Sequence, residues 1–217
     1  MAEADTGRTP PLPRTERGEH TRARLLEAAE HVFAERGYHQ ASIVKITERA
    51  GVAQGTFYLH FVSKLQVFEE LVDDLNSRVR RAMTDAAVRA SSRIEAEQLG
   101  LEAVLALTAE HPALYRIIRQ AEVVSPPALQ RHYSAVAGAY SAGLAAAMGR
   151  GEILPGDPEV IAYLLTAIGE MIGMRWILWP RAASVPEPVL AEAMAFVTRG
   201  LGAPPVTGAG GASGATH

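Results

Sequence analysis

The chain lacks cysteine and contains few aromatic residues. None of its 217 residues is Cys, and Phe, Trp and Tyr together make up 6%. The lack of cysteine excludes disulfide scaffolds, thiolate zinc sites and cysteine nucleophiles, and it favours a reducing compartment. No stretch reaches the ~18 uninterrupted apolar residues of a membrane span, and residues 1–17 lack the features of a signal peptide. We therefore expect a cytoplasmic protein.

An excess of positive charge is also missing. The chain has 21 Lys and Arg against 24 Asp and Glu, whereas a protein that coats nucleic acid without sequence preference carries a basic surface. Any binding of nucleic acid therefore has to depend on a small number of well-placed contacts. Hydrophobic residues make up 48% of the chain, which is enough to bury a sizeable core.

Sequence signatures of common enzymes are absent as well. The chain has no His-Glu-x-x-His, no P-loop and no Gly-x-Ser-x-Gly. The nearest serine match, around Ser141, lies inside a predicted helix, where the strained turn of a nucleophile elbow cannot form. None of the seven histidines has another histidine four residues away, so no helical metal site is expected. We predict no catalytic residue, no metal ligand and no cofactor.

Apolar residues recur at helical spacing through most of the chain, and no segment shows the two-residue alternation of a strand. The sequence predicts an all-α fold with helices over about 21–36, 43–50, 54–61, 64–90, 93–109, 112–122, 127–148, 158–179 and 186–201. Composition divides the chain into a disordered arm over 1–18, a small unit over 19–64, a larger helical domain over 65–202 and a disordered tail over 203–217.

Several of these helices have clear start and stop signals. Ser42 is a candidate N-cap, and Ser63 to Gln66 and Ser184 to Glu187 have the spacing of capping boxes. Gly51 separates two short helices, the second of which begins near Gln54 and carries small, aromatic and hydrogen-bonding side chains. Two short helices bent around a glycine are typical of a helix-turn-helix, which places its second helix in the major groove of DNA.

Residues 21 to about 70 resemble the DNA-binding domain of the tetracycline-repressor (TetR) family of bacterial transcription regulators. The matching stretches run from Thr21 to Tyr38, from Ser42 to Val52 and from Gly55 to Lys64. The resemblance implies an N-terminal three-helix DNA-binding domain followed by a larger helical domain for ligand binding and dimerisation. It also implies a homodimer that reads a palindrome-like double-stranded operator with two recognition helices.

The resemblance implies eight DNA-binding residues, which lie in or beside the predicted helix-turn-helix: Thr21, Ser42, Gln54, Gly55, Thr56, Tyr58, His60 and Lys64. An amide such as that of Gln54 can pair with adenine, and Gly55 permits close approach of the DNA. Thr56 suits a thymine methyl group or a phosphate, and the hydroxyl, imidazole and ammonium groups of the set suit phosphates. Thr21 and Ser42 are expected at helix N-termini, which favour phosphate. Phe57 and Phe61 are assigned to the core.

Aromatic and polar residues of the later helices predict a small-molecule pocket. Ligand pockets are mostly apolar cavities with a few polar anchors. The candidate lining residues, drawn from three predicted helices, are Tyr115, Arg119, Tyr133, Tyr140, Met171 and Trp176. For any one of these residues, ordinary core packing or a solvated face is the more frequent role, so a pocket in this region is expected more firmly than any particular lining residue.

The segment from Tyr115 to Glu122 also resembles regulators that sense acyl-CoA thioesters, and the pair Arg116 and Arg119 would suit an apolar anion. The combined prediction is a ligand-responsive, DNA-binding transcription regulator, with a repressor released from its operator by a small molecule as the favoured form. The alternative is a helical ligand-binding scaffold or enzyme without DNA-binding activity.

Overall fold

A computed structural model describes residues 15–202, apart from the side chain of Leu114. Every regular element in this range is helical, so the all-α prediction is confirmed. The helices are α1 (Glu16–Gln40), α2 (Ile43–Ala50), α3 (Gln54–Phe57), α4 (Lys64–Val88), α5 (Arg93–Glu110), α6 (Pro112–Val124), α7 (Pro126–Gly149), α8 (Pro158–Gly173) and α9 (Glu187–Leu201). A π-helical turn over Met174–Leu178 extends α8.

Helix α1 is longer than the sequence predicted. It begins at Glu16, after Thr15, whose hydroxyl accepts a hydrogen bond from the Gly18 amide at 3.2 Å. Its first turns are polar and mostly exposed, so they carry no apolar periodicity that would reveal them. The predicted arm therefore overlaps α1 at residues 16–18 and includes its N-cap Thr15, while its remainder over 1–14 and the tail over 203–217 lie outside the described residues. The division into units at residue 64 stays a prediction.

The capping predictions hold for two helices and fail for a third. Ser42 caps α2 by accepting from the Lys45 amide. Ser63 caps α4 by accepting from the Gln66 amide at 3.1 Å, and the Gln66 side chain accepts in return from the Val62 amide at 2.7 Å. The capping box predicted at Ser184 is wrong, because α9 begins after Pro186 without a side-chain cap.

The N-terminal core is aromatic and extends into the larger domain. Phe33, Phe57, Phe61 and Phe68 are fully buried, and the Phe33 and Phe68 ring centroids lie 5.4 Å apart in an edge-to-face arrangement. Ile117 of α6 is buried in the same cluster. Because α6 contributes to this core, the unit that precedes α4 is packed directly against a helix of the larger domain.

The C-terminal end of α1 is broken and then held from both sides. Gly37 adopts φ 74° and ψ 160°, which interrupts the helix. The Lys64 ammonium of α4 donates to the carbonyls of Tyr38 at 2.8 Å and Ala41 at 2.9 Å. From α6, the Gln120 carbonyl oxygen accepts from the Tyr38 amide at 2.6 Å. Side chains of α4 and α6 thus satisfy the backbone groups that the break would otherwise leave unpaired.

We expect Gly37→Ala to lower the free energy of unfolding by ~1–3 kcal/mol, because this backbone region is open to glycine and strained for other residues. A Cβ at position 37 would meet only the Gln120 amide at 3.6 Å, an ordinary contact, so the cost comes from the backbone. Urea denaturation measures it.

Gly138→Ala is the matched control. A Cβ at this exposed position within α7 would meet no atom within 4 Å, so alanine should raise the unfolding free energy by up to ~1 kcal/mol. Equal effects of the two substitutions would contradict the account of Gly37.

Candidate nucleic-acid interface and internal cavity

Helices α2 and α3 form the bent pair that the sequence predicted. Gly51 ends α2 in the left-handed conformation with φ 64°, and the Val52 amide donates to the Thr47 carbonyl at 3.0 Å across the turn. Helix α3 starts after Ala53, which offers no side-chain cap. It is shorter than predicted, since regular helix ends at Phe57 and the chain continues through tight turns to Phe61.

One face of this region points outward and the other is buried. Gln54 and Gly55 are exposed, and Tyr58 is 52% exposed. Thr56 is half-buried. Phe57 and Phe61 are fully buried, as the sequence indicated. The polar groups at 54 and 58 therefore stand on a rigid aromatic base and face away from the protein.

His60 does not belong to the outward set. Its side chain is 9% exposed, and its Nδ1 has no hydrogen-bond partner within the described residues. Burial lowers the pKa of the imidazole, and the nearby Arg22 guanidinium lowers it further. The prediction that the imidazole projects toward DNA is wrong, because the tight turn after Phe57 rotates position 60 inward.

Two further candidates occupy positions other than those expected. Thr21 lies within α1, where its hydroxyl donates to the Arg17 carbonyl, so it is not at a helix N-terminus. The Lys64 ammonium is partly buried and bound to the end of α1, and burial lowers its pKa. Thr21 therefore does not offer the free amides of a helix N-terminus, and Lys64 has two of its three N–H donors bound within the protein. Their phosphate contacts stay predictions. Ser42, in contrast, lies at the start of α2 as expected.

The larger domain contains an internal cavity between α4, α5, α6, α7, α8 and α9. Its volume is about 80 Å³ when counted as the space open to the centre of a water molecule. The lining is mostly apolar and consists of Val79, Met83, Glu97, Gly100, Leu101, Val104, Thr108, Tyr115, Ile118, His132, Val136, Tyr140, Leu165, Thr166, Ile168, Gly169, Glu170, Met194 and Val197. One water needs about 10–15 Å³ by this measure, so the cavity has room for a small organic group.

The structure places two of the six predicted lining residues at this cavity. Tyr115 and Tyr140 line it. Tyr133 does not line the cavity itself, but its hydroxyl donates to the carboxylate of the lining residue Glu170 at 3.1 Å.

The other three predicted lining residues lie elsewhere. Arg119 is exposed, as is Arg116, because the helical repeat of α6 turns Tyr115 and Ile118 inward and the two arginines outward. Met171 is 54% exposed on the outer face of α8. Trp176 packs against a separate apolar cluster. Neither arginine of the pair that favoured an anionic ligand is therefore on the cavity lining, although Arg119 is near enough to lower the pKa of Glu170.

Three ionisable residues of the lining, Glu97, His132 and Glu170, were not among the six predicted. Glu97 is 4% exposed, accepts from the Arg93 guanidinium at 2.6 Å and from the Tyr140 hydroxyl, and has a pKa raised by burial against the opposing effect of Arg93. Burial also raises the pKa of Glu170. His132 is 4% exposed, and burial lowers its pKa to about 4, which keeps the imidazole neutral near pH 7. Glu170 alone left a sequence signal, an acidic residue inside an otherwise apolar helix.

The family model of bacterial regulatory proteins of the tetR family matches residues 25–71, a range that contains α2, α3 and most of α1. The regulator TtgR of Pseudomonas putida is 30% identical over 203 residues, which cover 86% of this chain and 92% of TtgR. The activator FasR of Mycolicibacterium smegmatis is 44% identical over 92 residues, or 39% of this chain. That match spans 40% of the length of FasR. A further match, to a Bacillus subtilis regulator, spans 33% of that regulator's length.

The fold is also that of a solved regulator. FadR from Bacillus subtilis, in complex with stearoyl-CoA, superposes with a TM-score of 0.72 at 21% identity over 82% of this chain and 98% of FadR. The family model, the near full-length match to TtgR and the shared helical architecture agree. This chain belongs to the TetR family of bacterial transcription regulators.

Proposed function

We propose that this regulator binds a palindrome-like operator as a homodimer and acts as a repressor that a small apolar molecule releases from DNA. The observation that carries the DNA-binding part is the outward face of α3 and of Tyr58, the residue that follows it. Gln54 and Tyr58 are exposed above the buried rings of Phe57 and Phe61. Rigid support of this kind reduces the entropy lost when polar side chains bind bases and phosphates.

Gly55 supports the same assignment. A Cβ at this exposed position would meet no protein atom within 4 Å, so the fold itself does not demand glycine here. The missing side chain instead leaves space on the outer surface of α3, where a DNA backbone can approach closely. Thr56 and Ser42 complete the proposed contacts. We further propose that the regulator acts in the cytoplasm, where its operator lies.

A homodimer is supported by the apolar outer face of α8. Val160, Tyr163, Leu164 and Met171 lie on one side of the helix and are 40% to 60% exposed, and Phe196 of α9 is 61% exposed. A contiguous exposed apolar surface of this kind marks an interface. Two-fold pairing of this face would provide the two α3 helices that a palindrome-like operator requires.

The same helix is apolar enough to resemble a membrane span. The stretch Pro158–Leu178 has the length and composition to cross a bilayer, and 28% of its most apolar window is buried. The helix nevertheless carries Glu170 against the internal cavity and packs on α5 and α7 in a TetR-family fold. We therefore assign its exposed face to a second copy of the chain.

Release from DNA is proposed to pass through α4 and α6. Both helices line the cavity, through Met83 of α4 and Tyr115 of α6. Both also hold the end of α1, through Lys64 and Gln120. A ligand that fits the cavity better when these helices are shifted would reduce the population in which the two α3 helices have the spacing that DNA requires.

The ligand class and the sign of regulation are the finer parts of the proposal. FasR is named an activator, and repression is proposed here from the sequence resemblance to the tetracycline repressor. An acyl-CoA keeps one supporting observation, the stearoyl-CoA bound to FadR. At 21% identity that likeness carries the fold alone, and Arg116 and Arg119 are exposed away from the cavity lining.

Operator binding is tested by Gln54→Ala and Tyr58→Phe. Gln54→Ala should reduce discrimination against single-base changes in the operator by ~1–3 kcal/mol at the position it contacts. Tyr58→Phe should weaken binding to all sequences by about 0.5–1.5 kcal/mol, because it removes one hydrogen bond to a phosphate. Both effects are measured by fluorescence anisotropy. The DNA is the fragment of the intergenic region beside this gene that the protein protects from cleavage.

The matched control for this experiment is Gln130→Ala, at an exposed position on α7. It should leave affinity and base preference unchanged. Wild-type affinity and base preference in both α3 variants would remove α3 from the interface.

Dimerisation is tested by Leu164→Glu. This leucine is 60% exposed in the single chain, and a carboxylate buried there between two copies would be unpaired, at a cost of several kcal/mol. We expect the dimer seen by light scattering coupled to size exclusion to become a monomer. Val123→Glu, at a position 77% exposed on α6, should leave the dimer intact. A monomeric wild-type protein would contradict the assignment of this face.

A further inference from the structure

The cavity contains a carboxylate without an ion-pair partner. Glu170 lies on α8 in a helix that is otherwise apolar after its first turn. Its carboxylate accepts a hydrogen bond from the Tyr133 hydroxyl at 3.1 Å, and within residues 15–202 no cationic group lies at ion-pair distance from it. A half-buried carboxylate in an apolar setting carries a desolvation penalty that one tyrosine offsets only in part.

The second carboxylate of the cavity already has an ion-pair partner. Glu97 is bound by the Arg93 guanidinium and by the Tyr140 hydroxyl. A ligand therefore has little to gain by approaching Glu97. Glu170 is the group whose interactions a ligand can complete.

No lysine or arginine lines the cavity in the described part of the chain. The exposed Arg119 guanidinium acts on the Glu170 carboxylate from outside the lining and lowers its pKa against the effect of burial. His132 is the one basic side chain on the lining, and it is buried and neutral near pH 7. Its Nδ1 has no hydrogen-bond partner among the described residues, so the cavity wall holds an unsatisfied polar atom as well as an unpaired acid. An unsatisfied buried nitrogen and an unpaired carboxylate in one apolar cavity both point to a missing polar ligand.

The charges of the wall determine which head group is favourable. An anion placed in this cavity would lie in a low-dielectric space beside Glu170, with no cation on the lining to compensate it. A neutral molecule would gain the apolar contacts and one ordinary hydrogen bond. A cation would gain the same contacts and a charge-assisted hydrogen bond to the carboxylate.

From this arrangement we propose that the cavity binds a lipophilic organic cation, of the class of a protonated alkyl amine, with its N–H donating to Glu170 and its apolar body among Leu101, Val136 and Ile168. The inference deepens the proposed function, because it takes this cavity to be the effector site. A surface groove between α4, α5 and α7 shares Met83, Gly100, Val136 and Tyr140 with the cavity, and the proposal takes this groove as the route of access.

The test compares three probes with the same apolar body and different head groups: octylamine, octanol and octanoate. Each is titrated into the full-length protein near pH 7 in a calorimeter. Octylamine should bind at least about tenfold more tightly than octanol, the ratio expected for one charge-assisted hydrogen bond, and octanoate should bind least tightly. Octanoate binding as tightly as octylamine, or no binding by any of the three, overturns the proposal.

The site is assigned with Glu170→Gln, which keeps the shape of the side chain and removes its charge. This variant should lose most of the preference for octylamine while its affinity for octanol stays within about twofold. Glu159→Gln, on the exposed first turn of the same helix, is the matched control and should bind all three probes like wild type. An unchanged amine preference in Glu170→Gln overturns the assignment, and the wild-type comparison stands even if that variant folds poorly.

Anisotropy of the operator complex separates this inference from the proposed function. Release by octylamine supports both. Release by octanol or octanoate but not by octylamine contradicts the cation inference and leaves a ligand-responsive regulator. If octylamine binds tightly but none of the three compounds lowers the anisotropy of the operator complex, the cavity binds cations but does not control DNA binding.

Discussion

The structure depends on how the broken end of α1 is held. Gly37 interrupts the helix, and the backbone groups that follow are bound by Lys64 of α4 and by Gln120 of α6. Buried backbone groups left without partners would cost more than these bonds contribute in net stability. One turn of chain therefore joins the aromatic core to the two helices that also line the cavity.

These contacts at the end of α1 are one reason why fewer polar side chains face outward around α3 than the sequence suggested. Lys64 has its ammonium against two carbonyls and over the ring of Tyr38, 4.2 Å from its centroid. His60 is folded onto the core beside Arg22. The exposed polar groups around α3 are therefore few and uncharged. This agrees with a chain whose positive and negative charges nearly balance, so that DNA binding has to depend on a small number of well-placed contacts.

Most ionisable groups of the cavity are likewise paired or uncharged. Glu97 is matched by Arg93, His132 is held neutral, and Glu170 remains with one tyrosine. Natural interiors rarely keep an unpaired carboxylate without a function, because the desolvation cost reduces stability with no gain in packing. The position of that carboxylate between α6, α7 and α8 puts it where a ligand would act on the helices that hold α1.

The sequence by itself determined the all-α fold, the order of the helices, the caps at Ser42 and Ser63 and the turn at Gly51, because these features depend on neighbours three or four residues away. The start of α1 and the end of α3 were not determined in this way. Only the tertiary structure decided which side chains are free. Lys64, His60, Arg119 and Met171 were assigned from their chemistry, yet each one's role depends on where a distant helix packs against it or leaves it exposed. Glu170 became a candidate site residue for the same reason, since an unpaired charge is recognised only when every group around it is in place.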